Sequence, residues 1–329
     1  MKLVTYLPPG ESPSPRPGAL LGETIIDLQN AALWAQHTCG LPQGRLPGSL
    51  LELIQAGEQA SAYARQVLAE VARAGDPLHL RTEQGAPFAF RQETVSLLAP
   101  LQPVSLRDAY AFEQHVRKAS ENRGRQVPPG WYQHPAFYYT NHLTVIGHDS
   151  PLRRPRYTQA LDYELEIAAV IGQPGIDLNP EQAAAHIFGF TIFNDWSARD
   201  LQMAEMKIGL GPAKGKDFAS SLGPCLLTID ELDHCAEGRP GVFHLEMTAR
   251  LNGQEKSRAN FSDIHWSFGQ ILAYISQETP LLPGEVIGSG TVGTGCLLEL
   301  TRGEGPWLQP GDLVELEIEN IGILRNRVI

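Results

Sequence analysis

The alternation of apolar and polar residues predicts buried strands that carry acidic side chains at their ends. Asp162–Gly172 begins with alternating residues and continues as an apolar run. Side chains two apart on a strand share a face, so Glu164 and Glu166 point the same way. A second apolar run, Ile187–Phe193, is typical of a buried strand and ends just before Asp195. Because functional side chains often stand at strand ends, these acids are candidates for one site.

Three carboxylates without a Cys or His among them favour Mg²⁺, Mn²⁺ or Ca²⁺ over Zn²⁺ or copper. Two like charges on one strand face repel each other and are costly to desolvate unless a cation lies between them. The alternative is a solvated sheet face, which alternates in the same way. A glycine-rich loop with two lysines, Gly209–Phe218, follows the acids and favours the site.

The stretch before residue 101 predicts a smaller α/β domain, and residues 101–329 predict a catalytic domain. Strands are expected at Lys2–Leu7 and Gly22–Leu28, and one or two helices within Pro47–Ala74. A strand-like run, Thr94–Pro100, is followed by prolines that mark the boundary.

Ser105–Ala119 is expected to be a helix, with Ser105 as N-cap and Asp108 as the acid of a capping box. In that helix Asp108 and His115 would share a face, about 10 Å apart along the axis. Asp108 is then either a cap partner or a metal ligand. If it is a ligand, His115 would lie where a base acting on bound substrate is needed, although a structural histidine is equally compatible with the pattern.

The rest of the chain predicts mostly β structure. An irregular stretch from Glu121 to Asn141 contains arginines and aromatic residues, which suit a substrate-facing loop or a packed Ω-loop. After Lys216 one helix, Trp266–Tyr274, is expected among several strands. These strands are Pro224–Thr228, Phe243–Leu251, Glu285–Gly288, Cys296–Thr301 and Leu313–Ile318. The predicted fold class is therefore α+β and rich in β structure.

Composition excludes several kinds of partner. The chain has 329 residues, of which 42% are hydrophobic, and a formal net charge of −11. Such an acidic chain is a poor match for nucleic acid or an anionic membrane. Neither an apolar run of about 20 residues nor a signal-peptide core is evident, so we expect a cytoplasmic protein. The four cysteines have no C-x-x-C spacing, which argues against a zinc ribbon or a redox pair.

Taken together, the motifs resemble the fumarylacetoacetate hydrolase family, and a bacterial fumarylacetoacetase-like member in particular. The resemblance covers roughly Leu106 to Ile318. It rests on the order and spacing of Asp108-x-Tyr110-x4-His115, Asp162-x-Glu164-x-Glu166, Asn194-Asp195-Trp196-Ser197-Ala198-Arg199-Asp200-x-Gln202, Gly211-Pro212-x2-Gly215-Lys216-x-Phe218, Gly288-Ser289-Gly290-Thr291 and Gly295-x3-Glu299-Leu300.

This resemblance implies a mixed β-sandwich roll as catalytic domain, a homodimer and a divalent cation, with Mg²⁺ expected and Ca²⁺ or Mn²⁺ as alternatives. It implies metal ligands at Glu164, Glu166 and Asp195, joined by Asp108. A dyad of His115 and Glu299 would activate water, and Lys216 would stabilise developing negative charge. The implied substrate contacts are Tyr110, Arg123, Tyr138, Gln202 and Thr291.

Two departures from the family bear on the substrate. The eukaryotic enzymes have a substrate-contacting tyrosine where this chain has Met206, and their arginine is matched only approximately, by Arg123 or Arg125. The expected reaction is hydrolysis of a C–C bond in a 1,3-diketo acid of fumarylacetoacetate or acylpyruvate type. Two alternatives stay open: a lyase, hydratase, isomerase or oxaloacetate decarboxylase acting on a 2-oxo acid through a metal-bound enolate, and a binding protein without activity.

Overall fold

The fold is α+β and is built around one large mixed sheet. The computed structural model describes residues 1–10, 13–122 and 124–329. The strands are β1 (Lys2–Leu7), β2 (Arg16–Leu21), β3 (Thr24–Asp27), β4 (Ala89–Arg91), β5 (Ser96–Leu97), β6 (Ser105–Ala109), β7 (Phe137–Thr140), β8 (Val145–Ile146), β9 (Leu161–Asp162), β10 (Leu165–Ile171), β11 (Ile187–Asn194), β12 (Ser197–Ala198), β13 (Ser220–Thr228), β14 (Glu246–Leu251), β15 (Gln254–Asn260), β16 (Glu285–Gly288), β17 (Leu313–Ile318) and β18 (Gly322–Arg327).

The α-helices are α1 (Leu28–Cys39), α2 (Leu50–Gln55), α3 (Gly57–Arg73), α4 (Glu113–Glu121), α5 (Pro180–Ala185), α6 (Arg199–Ile208), α7 (Phe268–Ile275) and α8 (Leu297–Leu300). In the part of the chain that the structure describes, the longest α-helices are α3, with 17 residues, and α1, with 12. Among the described residues, no helix is both long enough and apolar enough to cross a membrane.

The large sheet has the strand order β4-β3-β2-β1-β13-β11-β10-β16-β6-β7, with β5 paired to β1 and β8 paired to β13. Most neighbours are antiparallel, whereas β16 runs parallel to β6 and β13 parallel to β8. A smaller sheet has the order β15-β14-β17-β18.

Both faces of the large sheet are covered around β10, which explains the continuous apolar run of this strand. Ile167 and Ala169 face a core that includes Phe190, while Ala168 and Val170 face a second core formed with α1 to α3. A strand buried on both faces has no solvated side to alternate with. The strands that lead to the acidic residues therefore lie deep inside the protein.

The N-terminal segment shares this sheet, since β1 pairs with β13 through Leu3 and Leu226. Strands β1 and β3 and helices α2 and α3 lie close to the predicted positions, whereas β2 and β4 lie where no strand was predicted. Helix α1 was not expected. The division into domains at about residue 100 stays a prediction.

The helix expected at Ser105–Ala119 is wrong in its first half. Residues 105–109 form β6, which pairs with β16 on one side and β7 on the other, so sheet partners satisfy its backbone. Helix α4 begins only after Phe112, which makes no side-chain cap. The capping role of Asp108 is therefore excluded, and Asp108 and His115 do not share a helix face.

The strand expected at Cys296–Thr301 is also wrong, because residues 297–300 form α8. The N–H groups of Leu297 and Leu298 bond to the Asp162 side chain instead of to a neighbouring strand. Asp162, which lies 135 residues before Leu297 and 136 before Leu298, therefore stabilises the start of this helix. The sequence around Glu299 does not indicate this contact.

We predict that Phe190→Ala lowers the free energy of unfolding by about 3–5 kcal/mol, the usual range for emptying a packed aromatic site. The Phe190 ring lies 5.3 Å from that of Phe268 and 5.5 Å from that of Phe243, measured between centroids. Urea unfolding followed by fluorescence measures the change. Leu143→Ala is the control, because Leu143 is 74% exposed, and a similar loss in both variants would contradict the packing argument.

Candidate functional site

Four carboxylates reach one point from three strands of the large sheet. Asp108 lies on β6 and Glu166 on β10, Glu164 immediately precedes β10, and Asp195 immediately follows β11. Strand β16 lies between β6 and β10 and places Gly288 opposite Asp108. A Cβ at Gly288 would lie 2.4 Å from Asp108 Oδ1, so only glycine leaves room for the carboxylate there.

The carboxylate cluster, as we call Asp108, Glu164, Glu166 and Asp195, could hold a metal ion. One oxygen from each side chain lies within 4.8 Å of the others, and all four residues are buried. Within the described part of the chain, Asp195 Oδ1 is buried without a hydrogen-bond partner. A buried, unpartnered anionic oxygen among other carboxylates fits a hard divalent cation, which prefers oxygen ligands.

The shifted pKa values of the cluster also favour a bound cation. Burial, followed by the charge of Asp195, raises the pKa of Asp108 to about 8. Burial and the charge of Asp108 raise the pKa of Glu166 well above its ordinary value. Burial also raises the pKa of Asp195 to about 6, against the opposing effect of Lys216. Without a cation in their midst, these acids retain protons that free acids would lose.

Two buried cations neutralise one side of the cluster. Lys216 Nζ donates to Glu164 and, at 2.5 Å, to Asp195 Oδ2. Arg199 Nη1 lies 2.8 Å from Glu164 Oε1. Burial alone would raise the pKa of Glu164, but these two cations bring it below the ordinary value. Glu164 is thus ionised while Asp108 and Glu166 compete for protons.

Lys216 reaches the cluster because its loop packs tightly on α6. A Cβ at Gly215 would lie 2.8 Å from the backbone nitrogen of Gln202, so the absence of a side chain brings the two segments together. Tyr138 lies opposite Asp108 on β7, and its hydroxyl donates to Asp195. This tyrosine contacts a carboxylate of the cluster as well as lining the cavity.

His115 and Glu299 form a buried pair next to the carboxylate cluster. His115 Nδ1 lies 2.5 Å from Glu299 Oε1, and the other carboxylate oxygen of Glu299 accepts the N–H of Thr294 at 3.0 Å. A carboxylate at Nδ1 favours the tautomer with a proton there, which leaves Nε2 free to accept one. Burial raises the pKa of the neighbouring Cys296 thiol well above its ordinary value, so this thiol remains protonated.

A cavity of about 250 Å³ opens onto these groups. The predicted site residues that line it are Asp108, Tyr110, His115, Tyr138, Glu164, Gln202, Lys216 and Thr291. Glu166, Asp195 and Glu299 lie behind this wall and contact its residues. Arg123, predicted to contact substrate, lies outside the described residues. A larger cavity of about 700 Å³, lined by Arg91, His148 and Arg325, contains none of the predicted site residues.

Sequence reasoning missed three residues that organise the site. Gly288 makes room for Asp108, Asp162 binds the backbone of α8, and Arg199 bridges Asp162 and Glu164. All three lie inside the motifs that carried the family resemblance. Their position in those motifs was the only available signal, because each acts through residues distant in sequence.

The chain is similar to proteins with named activities. Residues 104–329 match the family described as fumarylacetoacetate (FAA) hydrolase C-terminal. The chain is 28% identical over 359 residues to a fumarylacetoacetase of Arabidopsis thaliana, covering 91% of this chain and 83% of that protein. It is 29% identical over 314 residues to the oxaloacetate tautomerase YisK of Bacillus subtilis (strain 168), covering 93% of each.

The fold is likewise similar to a solved structure, the fumarylacetoacetate hydrolase (EaFAH) from psychrophilic Exiguobacterium antarcticum. The TM-score is 0.69 at 24% identity, covering 100% of this chain and 99% of that chain. A likeness at this identity bears on the fold, and it extends over the N-terminal segment as well as the residues of the family match.

We predict that Mg²⁺ raises the melting temperature. This rise should grow as the pH increases from about 6 to about 8, because these are the raised pKa values of Asp195 and Asp108. The folded chain without cation binds protons more tightly than the unfolded chain, so it loses stability as pH rises through this window. Because a cation binds deprotonated ligands, its affinity for the cluster increases as the pH rises. At a Mg²⁺ concentration of 100 times Kd the stabilisation is about 2.7 kcal/mol.

Scanning fluorimetry with Mg²⁺ or with a chelator measures this shift at each pH. Asp195→Asn should reduce the shift strongly, whereas Glu255→Gln, at a surface pair with Arg258, should keep it. A shift that is equal in both variants, or that shrinks as pH rises, would place cation binding outside the carboxylate cluster.

Proposed function

Because the chain belongs to the fumarylacetoacetate hydrolase family, we propose that it is a metal-dependent enzyme that hydrolyses a C–C bond of a 1,3-diketo acid of fumarylacetoacetate or acylpyruvate type. The observation that carries the proposal is the His115–Glu299 pair, which places a candidate base at the same cavity as the carboxylate cluster. A metal-binding protein without activity would have no need of this pair.

Asp108, Glu164, Glu166 and Asp195 would hold the cation, with Mg²⁺ expected from their oxygen donors. When bound, a divalent cation supplies polarisation of the substrate carbonyl and stabilisation of the negative charge on the departing enolate. The pairing of Lys216 with Glu164 and Asp195 limits the negative charge that the substrate, itself an anion, meets on entry.

His115 would take a proton from the attacking water through Nε2, while Glu299 holds Nδ1 protonated and fixes the ring orientation. The ring of Tyr110 packs edge-on against the imidazole, with centroids 5.4 Å apart, and restricts it further. A positioned base of this kind typically contributes about 10²–10⁴-fold in rate.

The side chains of Lys216 and Gln202 face the same cavity and would stabilise the oxyanion that forms when water adds to the carbonyl. Gln202 Oε1 accepts from Arg199 at 3.1 Å, which leaves the Gln202 amide N–H₂ free to turn toward substrate. Tyr110, Tyr138 and Thr291 line the remaining polar wall and would orient the substrate. Arg123 stays a predicted substrate contact.

The second candidate is enol–keto interconversion of a 2-oxo acid such as oxaloacetate. Supporting it is the relative named oxaloacetate tautomerase, which matches this chain over 93% of both proteins. Both reactions place negative charge on an enolate, and they differ in whether a water molecule must be activated. The homodimer and the cytoplasmic location stay predictions from the sequence.

We predict that His115→Ala lowers kcat for diketo-acid hydrolysis by about 10²–10⁴-fold, because the general base is lost. The Mg²⁺ affinity should change little, since His115 lies outside the carboxylate cluster. Glu164→Ala should lose both activity and Mg²⁺ affinity. Product formation from fumarylacetoacetate, acetylpyruvate and oxaloacetate, with and without chelator, and Mg²⁺ titration calorimetry measure the two effects.

His37→Ala is the control, because His37 is exposed and does not line the cavity, and it should keep full activity. If the His115 variant hydrolyses diketo acids at the wild-type rate, the dyad is not the base. Rapid tautomerisation of oxaloacetate without hydrolysis of any diketo acid would favour the second candidate.

The cavity lining includes apolar side chains as well as polar ones, which bears on the substrate group that lies away from the cation. Ala119 lies one helical turn after His115, Met206 lies one turn after Gln202, and Phe137 precedes Tyr138 on β7, and all of them line the cavity. An apolar wall favours a neutral acyl chain over a terminal carboxylate, which would lose its hydration there. The acylpyruvate type therefore fits this wall better than fumarylacetoacetate.

We predict a higher kcat/KM for acetylpyruvate than for fumarylacetoacetate. In Met206→Arg the ratio of these two kcat/KM values should change in favour of fumarylacetoacetate. This ratio should change about fivefold, because a partly exposed ion pair between the new arginine and the terminal carboxylate of fumarylacetoacetate contributes up to about 1 kcal/mol. Met203→Arg is the matched control, because Met203 is equally exposed on α6 but does not line the cavity. If both substitutions change the substrate preference equally, Met206 does not determine specificity.

A further inference from the structure

Asp162 binds the first turn of the helix that carries Glu299. Its Oδ1 accepts the N–H of Leu297 at 2.8 Å, and its Oδ2 accepts the N–H of Leu298 at 2.9 Å. These are the first two residues of α8, and the residue before them, Cys296, makes no side-chain cap. The N-terminal N–H groups of a helix have no partner within it, so Asp162 supplies the cap from a distant segment.

The same carboxylate also binds Arg199. Arg199 Nε donates to Asp162 Oδ2 at 2.9 Å, and Nη2 lies 2.8 Å from the same oxygen. The remaining nitrogen, Nη1, contacts Glu164 at 2.8 Å and Gln202 at 3.1 Å. Asp162 is fully buried and Arg199 is 2% exposed, so water does not screen these contacts.

One continuous chain of charged contacts therefore links the two halves of the site. It runs from the backbone of α8 through Asp162 and Arg199 to Glu164 of the carboxylate cluster. We propose that Asp162 is a positioning residue that fixes Glu299, and through it His115, relative to the carboxylate cluster. This inference rests on the proposed role of the His115–Glu299 pair.

Helix α8 needs such an anchor because four residues cannot hold a helix by themselves. Besides the contacts of the Glu299 side chain with His115 and with the N–H of Thr294, the helix is held by a hydrogen bond from Asn122 to the carbonyl of Leu298 and by the packing of the Leu297 side chain in the core. None of these contacts restrains the first N–H groups. A shift of about 1 Å in Glu299 would turn the imidazole away from the position that water activation requires.

The test compares Asp162→Asn with Asp200→Asn. Asp200 is the control, because it also accepts backbone N–H groups, from Gln159 and Leu201, and its side-chain hydrogen bond is to Thr158 rather than to a site residue. An asparagine at 162 keeps the shape but replaces one acceptor oxygen by a donor and removes the charge opposite Arg199. We expect kcat to fall about 10–100-fold, the usual range for residues that orient a catalytic group, with KM nearly unchanged and Asp200→Asn unaffected.

Two further readouts separate positioning from general stability. Mg²⁺ affinity, measured by calorimetry, should fall by a much smaller factor than kcat. In the Glu299→Gln background, Asp162→Asn should cost little additional rate, because residues that act as a unit are not additive. Fully additive losses, or equal losses of kcat and Mg²⁺ affinity, would overturn the proposal.

A second pair of variants tests the contact from the other side if Asp162→Asn does not fold. Leu297→Pro removes one N–H that Asp162 accepts, at the first helical position where proline is tolerated. The preceding Cys296 is already extended, as proline requires. Leu297→Ala removes the same packing but keeps the N–H, so the proline variant should be about 10-fold slower than the alanine variant.

Equal rates in the Leu297 pair would overturn the proposal as well. The proposed function and the positioning role of Asp162 can be disproved separately. If His115→Ala and Glu299→Gln remain fully active, the proposed function fails first. If those variants lose activity while Asp162→Asn behaves like Asp200→Asn, only the positioning role is lost.

Discussion

The structure depends on the burial of several carboxylates at one point inside a protein. Desolvation and mutual repulsion both oppose this arrangement, and they raise the pKa values of Asp108, Glu166 and Asp195. Lys216 and Arg199 balance only the side formed by Glu164 and Asp195. The rest of the charge is compensated by protons or by a cation, so the fold itself creates a cluster that could hold a metal ion.

The large sheet makes this burial possible. Its central strands are covered on both faces, and the loop that carries Lys216 adds to the shielding of the side chains at their ends. The sheet order places β16 between two of the acid-bearing strands, and Gly288 leaves the space that the Asp108 carboxylate occupies. A larger residue there would push the acid out of the cluster, which explains why a glycine stands in a strand where it otherwise weakens pairing.

Local sequence pattern was sufficient to predict that three of the acids lie at neighbouring strand ends. The alternation before β10 and the apolar run of β11 placed Glu164, Glu166 and Asp195 at neighbouring strand ends, and the structure brings them together. The same reasoning failed for Asp108, because Ser105 and Asp108 have the spacing of a capping box although residues 105–109 pair with two strands. It failed for α8 because the partner of that segment is Asp162, far away in sequence. Contacts of this kind leave no periodic signal.

The two halves of the candidate site are held in place by different kinds of contact. The carboxylate cluster is fixed by the paired strands of the large sheet, which are hard to displace. The His115–Glu299 pair stands on two short helices, α4 and α8, whose position depends on a few polar contacts. Small changes in those contacts would move the base while leaving cation binding intact. Under the proposed scheme both candidate reactions would use the cation, but only hydrolysis would need a base held in place for water. If that scheme holds, the contacts that fix α8 would bear on which of the two reactions this chain favours.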